Sequence, residues 1–109
     1  MAVRNGCHLC VAMHSARLAA LGADPALAAA LPSGGPLGEG RLDAVRAFTL
    51  RVLDTAGEAG DESVAEFLGH GFTRRNALEI VLGIGAYTLS TLANRLTAAP
   101  VDEGLRAFA

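Results

Sequence analysis

Between residues 42 and 56, apolar side chains return every three or four positions. Leu42, Val45, Phe48, Val52, Leu53 and Ala56 fall on one helical face, and Asp43, Arg46, Arg51 and Asp54 on the other. That spacing predicts an amphipathic helix. A second periodic stretch opens at Phe72-Thr73, with Thr73 as N-cap, and reaches Leu96. There Leu78, Val81, Leu82, Leu89, Leu92 and Leu96 form one stripe, and Ile80, Ile84 and Tyr87 a second. A helix apolar on two faces belongs in a domain centre or between subunits. The small residues Gly83, Gly85, Ala86 and Ser90 allow another backbone to come close.

Three shorter helices complete the pattern. The first runs from about Cys7 to Leu21, with Val11, Leu18 and Leu21 on a loose stripe and Gly22 as its stop. Asp24 and Pro25 then read as N-cap and first helical position of an alanine-rich helix ending near Leu31. Asp61 caps a helix that contains Val64, Phe67 and Leu68, closed by Gly69 or Gly71. Pro32 to Gly40, with two prolines and four glycines, reads as a loop between helix pairs. It lacks the Gly-Lys-Ser/Thr ending and the preceding strand of a phosphate cradle. Residues beyond Pro100 read as a docking tail or a frayed end. Nothing alternates with strand period, so the expected class is all-α.

The length of 109 residues predicts a single domain. The chain is 51% hydrophobic and 18% charged, which is apolar for so small a monomer and points to surface covered by another subunit. The net charge of -2, without any basic stripe, argues against nucleic acid as a partner. The run from Ala77 to Leu92 carries Glu79 and reads as too short and interrupted to span a membrane. No leader is evident before the first helix, so the expected location is the cytoplasm.

The chemistry concentrates in Cys7-His8-Leu9-Cys10-Val11-Ala12-Met13-His14, which holds both cysteines and two of the three histidines. A C-x-x-C pair encloses too short a loop to staple a fold and reads first as a redox couple. His14, one turn beyond Cys10, lies on the same helical face and can take the thiol proton. The free amides of the first turn favour the thiolate further. Cys10 is therefore the expected attacker and Cys7 the resolver. The plain alternative is two buried cysteines beside an incidental histidine. A zinc site needs four ligands, or three with an open position, which Cys7, Cys10, His14 and His8 could supply, but His8 adjoins Cys7 and is badly placed to close the same tetrahedron. His8 itself is expected to face water, although it could lower the cysteine pKa values. His70 reads as a turn residue. Glu79 reads as an acid suited to the start of its helix, or as one reaching a neighbouring site. Arg74 and Arg75 are expected to be solvated or paired with acids such as Glu79.

The segment from Asn5 to Ala16 resembles the N-G-C-x-x-C-x-x-x-H signature of the AhpD-like alkylhydroperoxidase family, within the wider carboxymuconolactone decarboxylase group. Gly71-Phe72-Thr73, Leu92-Ala93-Asn94-Arg95 and Pro100-Val101-Asp102 also resemble the C-terminal half of such relatives. The resemblance implies an all-α domain assembling as a homo-oligomer, often a trimer or hexamer. It implies a thiol-dependent peroxidase with no organic cofactor, acting on a peroxide with electrons from a protein dithiol. Cys10 would attack, Cys7 resolve and His14 relay protons. Two departures stand out. The family's relay Glu sits on a helix before the motif, and only six residues precede Cys7 here. The position before the second cysteine, a His in some relatives, is Leu9. The alternative is a non-catalytic helical oligomerisation module with a redox-sensing or vestigial cysteine pair.

Overall fold

The computed structural model describes residues 1–109, and every regular element is helical. In chain order these are α1 (His8–Ala20), α2 (Pro25–Ser33), α3 (Gly40–Asp54), α4 (Asp61–Gly69) and α5 (Arg74–Leu96), followed by a 3-10 turn over Glu103–Phe108. The chain divides into two compact units, Met1–Gly35 with Ala86–Ala109, and Pro36–Gly85. The boundary falls inside α5, so each unit is described with its own part of that helix.

Helix ends follow from local chemistry. Asp24 Oδ1 accepts the Ala26 N–H at 2.8 Å and Pro25 occupies the first position of α2, as the sequence predicts. At the start of α5, Thr73 Oγ1 accepts the Asn76 N–H at 3.2 Å, while Asn76 Oδ1 accepts the Thr73 N–H at 3.0 Å. This is a reciprocal cap with Asn in place of Glu. Gly34 ends α2 at φ 74°, a left-handed conformation that glycine adopts without strain.

Three boundaries differ from expectation. Helix α2 continues through Pro32 and Ser33, because a proline in a last turn forfeits one backbone bond while its fixed φ remains helical. Helix α3 starts at Gly40 and stops at Asp54, since Ala56 turns to φ 52°. Asp61 is the first residue of α4 and Gly60 its N-cap, at φ 84°.

In the unit Pro36–Gly85, Phe48 and Val52 of α3, Ala59, and Phe67 of α4 form the buried core. Ile80 and Ile84 of α5 pack against it. Phe67 stacks on Phe48 at 4.4 Å between ring centroids and on Phe72 at 4.6 Å. Arg41 lies over the Phe72 ring at 4.7 Å, a cation–π contact that leaves its charge wet. In the other unit, α1 packs against α2 and the 3-10 turn. Cys7, Cys10, Ala12 and Thr91 are buried there. The C-terminal segment is therefore ordered against α1.

Of the second stripe of α5 only Ile80 and Ile84 are partly buried; its Tyr87, and Leu78, Val81, Leu82, Leu89, Leu92 and Leu96 of the first stripe, are all exposed. With 23 residues, α5 is also long and apolar enough, by length and composition alone, to cross a bilayer. The sequence-based run from Ala77 to Leu92 understates it, because helix geometry carries on through Arg74 and Arg95 at either end.

Candidate functional site

The lead-in to α1 is a series of tight turns. The amides of Asn5, Gly6 and Cys7 donate to the carbonyls of Met1, Val3 and Ala2 at 2.9–3.0 Å. Gly6, at φ 61°, makes the reversal that delivers Cys7 to the helix start. Cys7 is the N-cap of α1, and its Sγ accepts the Cys10 N–H at 3.3 Å. Sulfur thus takes the place an oxygen holds in an ordinary cap. The same geometry closes the pair: Cys7 and Cys10 are 5.3 Å apart at Cα and joined as a disulfide. Their side chains are almost wholly buried, at 3% and 2% exposure.

Helix α5 supplies the second wall. Asn94 Nδ2 donates to Cys10 Sγ at 3.3 Å. One turn earlier, Thr91 Oγ1 accepts from Asn5 Nδ2 at 2.7 Å and donates to the Tyr87 carbonyl at 2.8 Å. Arg95 donates to the Asn5 carbonyl. These bonds clamp the turn before Cys7 onto the last turns of α5. They also satisfy the polar groups that burial of the motif would strand. In the disulfide each sulfur accepts one hydrogen bond, Cys7 Sγ from the Cys10 N–H and Cys10 Sγ from Asn94 Nδ2.

His14 lies one turn beyond Cys10 on α1, as its spacing requires. It is exposed, and its ring meets Tyr87 edge-on at 5.0 Å and 80°. The side-chain bond to Cys10 Sγ comes from Asn94, not from His14. Met13, His14, Ala16 and Arg17 of α1, with Tyr87 and Leu105, line a shallow open depression. His8, the first residue of α1, is exposed. His70 is exposed at the C-cap of α4, a turn position. Glu79 belongs to the other unit. Its carboxylate accepts from Asn76 Nδ2 and Arg75 Nε, both at 3.0 Å, and these hold its pKa below the usual carboxylate value. No group of three or more His, Cys, Asp or Glu side chains comes together as a metal site requires.

Sequence reasoning finds the cysteine pair but misses Asn5, Thr91, Asn94 and Arg95 as its supports. The available signal was polar residues on the inner face of an otherwise apolar helix, since Thr91 and Asn94 recur at one-turn spacing from Tyr87. Because a hydrogen bond to a charged group contributes roughly 1.5–3 kcal/mol, Asn94→Ala is expected to slow alkylation of Cys10 severalfold near neutral pH once the disulfide is reduced. The alkylation rate of the reduced protein reads this directly. An unchanged rate would mean that Asn94 only packs.

No known protein family and no curated protein matches this sequence.

Proposed function

We propose that the protein is a thiol-dependent peroxidase of the AhpD-like kind, working through the Cys7/Cys10 couple. The observation that carries this reading is the disulfide-bonded pair at the N-terminus of α1, with Asn94 donating to Cys10 Sγ. A disulfide so close in sequence contributes little to stability, so a chemical role accounts for the pair better than a structural one.

In the proposed cycle the Cys10 thiolate attacks the distal oxygen of a hydroperoxide. The O–O bond breaks, the alkoxide leaves and takes a proton, and Cys10 becomes a sulfenic acid. The Cys7 thiolate then attacks that sulfur, water departs, and the disulfide forms. A dithiol returns two electrons by exchange and restores both thiols. His14 is the proposed proton carrier. It bonds to neither sulfur in the disulfide form, so the transfer runs in the reduced form or across one water.

The second reading, a non-catalytic redox sensor, draws on the near-complete burial of both sulfurs. Steady-state peroxide consumption with a dithiol donor separates the two. Turnover by the wild type supports the peroxidase. Absence of turnover, with a disulfide that still opens and closes, supports the sensor.

A further inference from the structure

Cys7 and Cys10 are almost wholly buried, yet thiol–disulfide exchange needs a nucleophile in contact with one of the two sulfurs. Part of the wall around the pair therefore moves whenever the disulfide is reduced, and this holds for a catalytic pair and a sensing pair alike.

We infer that the turn Met1–Gly6 is a flap over the disulfide, hinged at Gly6 and latched onto α5 by Asn5. The turn carries its own structure. The amides of Asn5 and Gly6 donate to the carbonyls of Met1 and Val3 at 2.9 and 3.0 Å, so these bonds travel with it. The bond from the Cys7 N–H to the Ala2 carbonyl, at 3.0 Å, crosses the hinge and is given up to water on opening. Gly6 is exposed and sits at φ 61°, and without a Cβ it absorbs a large backbone rotation.

The latch releases without stranding a buried group. Asn5 Nδ2 donates to Thr91 Oγ1, and Arg95 donates to the Asn5 carbonyl. When Asn5 leaves, the Thr91 hydroxyl still donates to the Tyr87 carbonyl at 2.8 Å. Arg95 is exposed, so it and the Asn5 carbonyl both find water. Val3 is half-exposed already, so little apolar burial holds the turn down. The other walls are held more firmly. Ala12 of α1 is fully buried, the 3-10 turn packs on α1, and Asn94 lies within the continuous helix α5. Moving any of these opens packed surface or breaks helical hydrogen bonds.

With the flap open, one thiolate of a dithiol bonds to either sulfur. The Cys7–Cys10 bond breaks, and the other sulfur leaves as a thiolate that takes a proton. The second thiol of the dithiol then displaces the first sulfur, so the dithiol ends as a disulfide and both cysteines as thiols.

The test is the rate at which dithiothreitol reduces the oxidised full chain, read as alkylated protein by mass spectrometry after quenching. It needs no peroxide, so its failure is distinct from failure of the peroxidase reading. The wild type is expected to react far more slowly than the same chain in denaturant. Asn5→Ala removes the latch and should accelerate reduction about two- to tenfold, with helical content unchanged. Arg95→Gln should act in the same direction. Amide exchange at Cys7 should quicken in Asn5→Ala by a similar factor, because the same opening frees that amide. Val52→Ala, in the core of the other unit, should leave the rate as it is. Equal acceleration by Val52→Ala and Asn5→Ala would show that the sulfurs are reached through unfolding, and would overturn the proposal. So would a rate indifferent to both latch substitutions, or one raised only by Leu105→Ala, which would place the entrance at the depression beside His14.

Discussion

Cys10→Ser is expected to reduce dithiol-dependent peroxide consumption to the background rate, while Cys7→Ser permits a single turnover. The asymmetry follows from the proposed roles. Serine at position 10 keeps the shape of the side chain but its hydroxyl does not ionise near neutral pH, so no nucleophile meets the peroxide oxygen. With Cys7 replaced and no external thiol present, Cys10 still attacks once and remains a sulfenic acid, because the chain holds no second thiol to displace water from it. Mass spectrometry of the Cys7→Ser protein after one equivalent of peroxide should find one added oxygen on the peptide containing Cys10. Oxygen on Cys7 in the Cys10→Ser protein, with retained single turnover, would reverse the assignment. That outcome has a physical basis, since Cys7 Sγ is the sulfur that accepts the N-terminal amide of Cys10. Neither substitution should alter the fold appreciably, because a loop closed over three residues removes little entropy from the unfolded chain.

Phe67→Ala is expected to lower the stability of the protein by about 3–5 kcal/mol. Against a total of roughly 5–15 kcal/mol for a native domain, that is enough to leave part of the population unfolded. Phe67 is 1% exposed and lies between two stacked rings, Phe48 and Phe72. Truncation therefore removes both stacking contacts and opens a cavity in the middle of a core whose other buried members are only Phe48, Val52 and Ala59. A small core has few neighbours that can relax into the gap. The shift in the denaturant midpoint measures the loss. Leu50→Ala, at a site 41% exposed, provides the comparison and should change stability by no more than about 0.5 kcal/mol. Equal effects of the two substitutions would mean that the aromatic stack is not the centre of this unit.

The local signals in the chain proved reliable for helix existence and much less so for helix ends. Asp24 with Pro25, and Thr73 before Arg74, act as caps because their bonds involve only residues within the next turn. The Phe48 and Val52 face is inward because a period of 3.6 leaves no other face to bury. Pro32 misleads, since a proline near a C-terminus disturbs only one bond. Ala56 misleads because its left-handed φ has no signature in alanine itself. The two apolar faces of α5 were both legible, but which one turns inward was not. The stripe from Leu78 to Leu96 and the residues Ile80 and Ile84 are both apolar, and only packing separates them.

From the chain alone come the helical class, the pairing of Cys7 with Cys10 at a helix start, and the placement of His14 one turn later. Each depends on neighbours within four residues, whose geometry backbone hydrogen bonding dictates. Tertiary structure alone assigned Asn94 to the Cys10 sulfur, Asn5 to Thr91, and the His14 ring to Tyr87. Those contacts join positions more than seventy residues apart. No periodicity encodes them, because they arise only when α5 packs across the start of α1 and buried polar groups must find partners there.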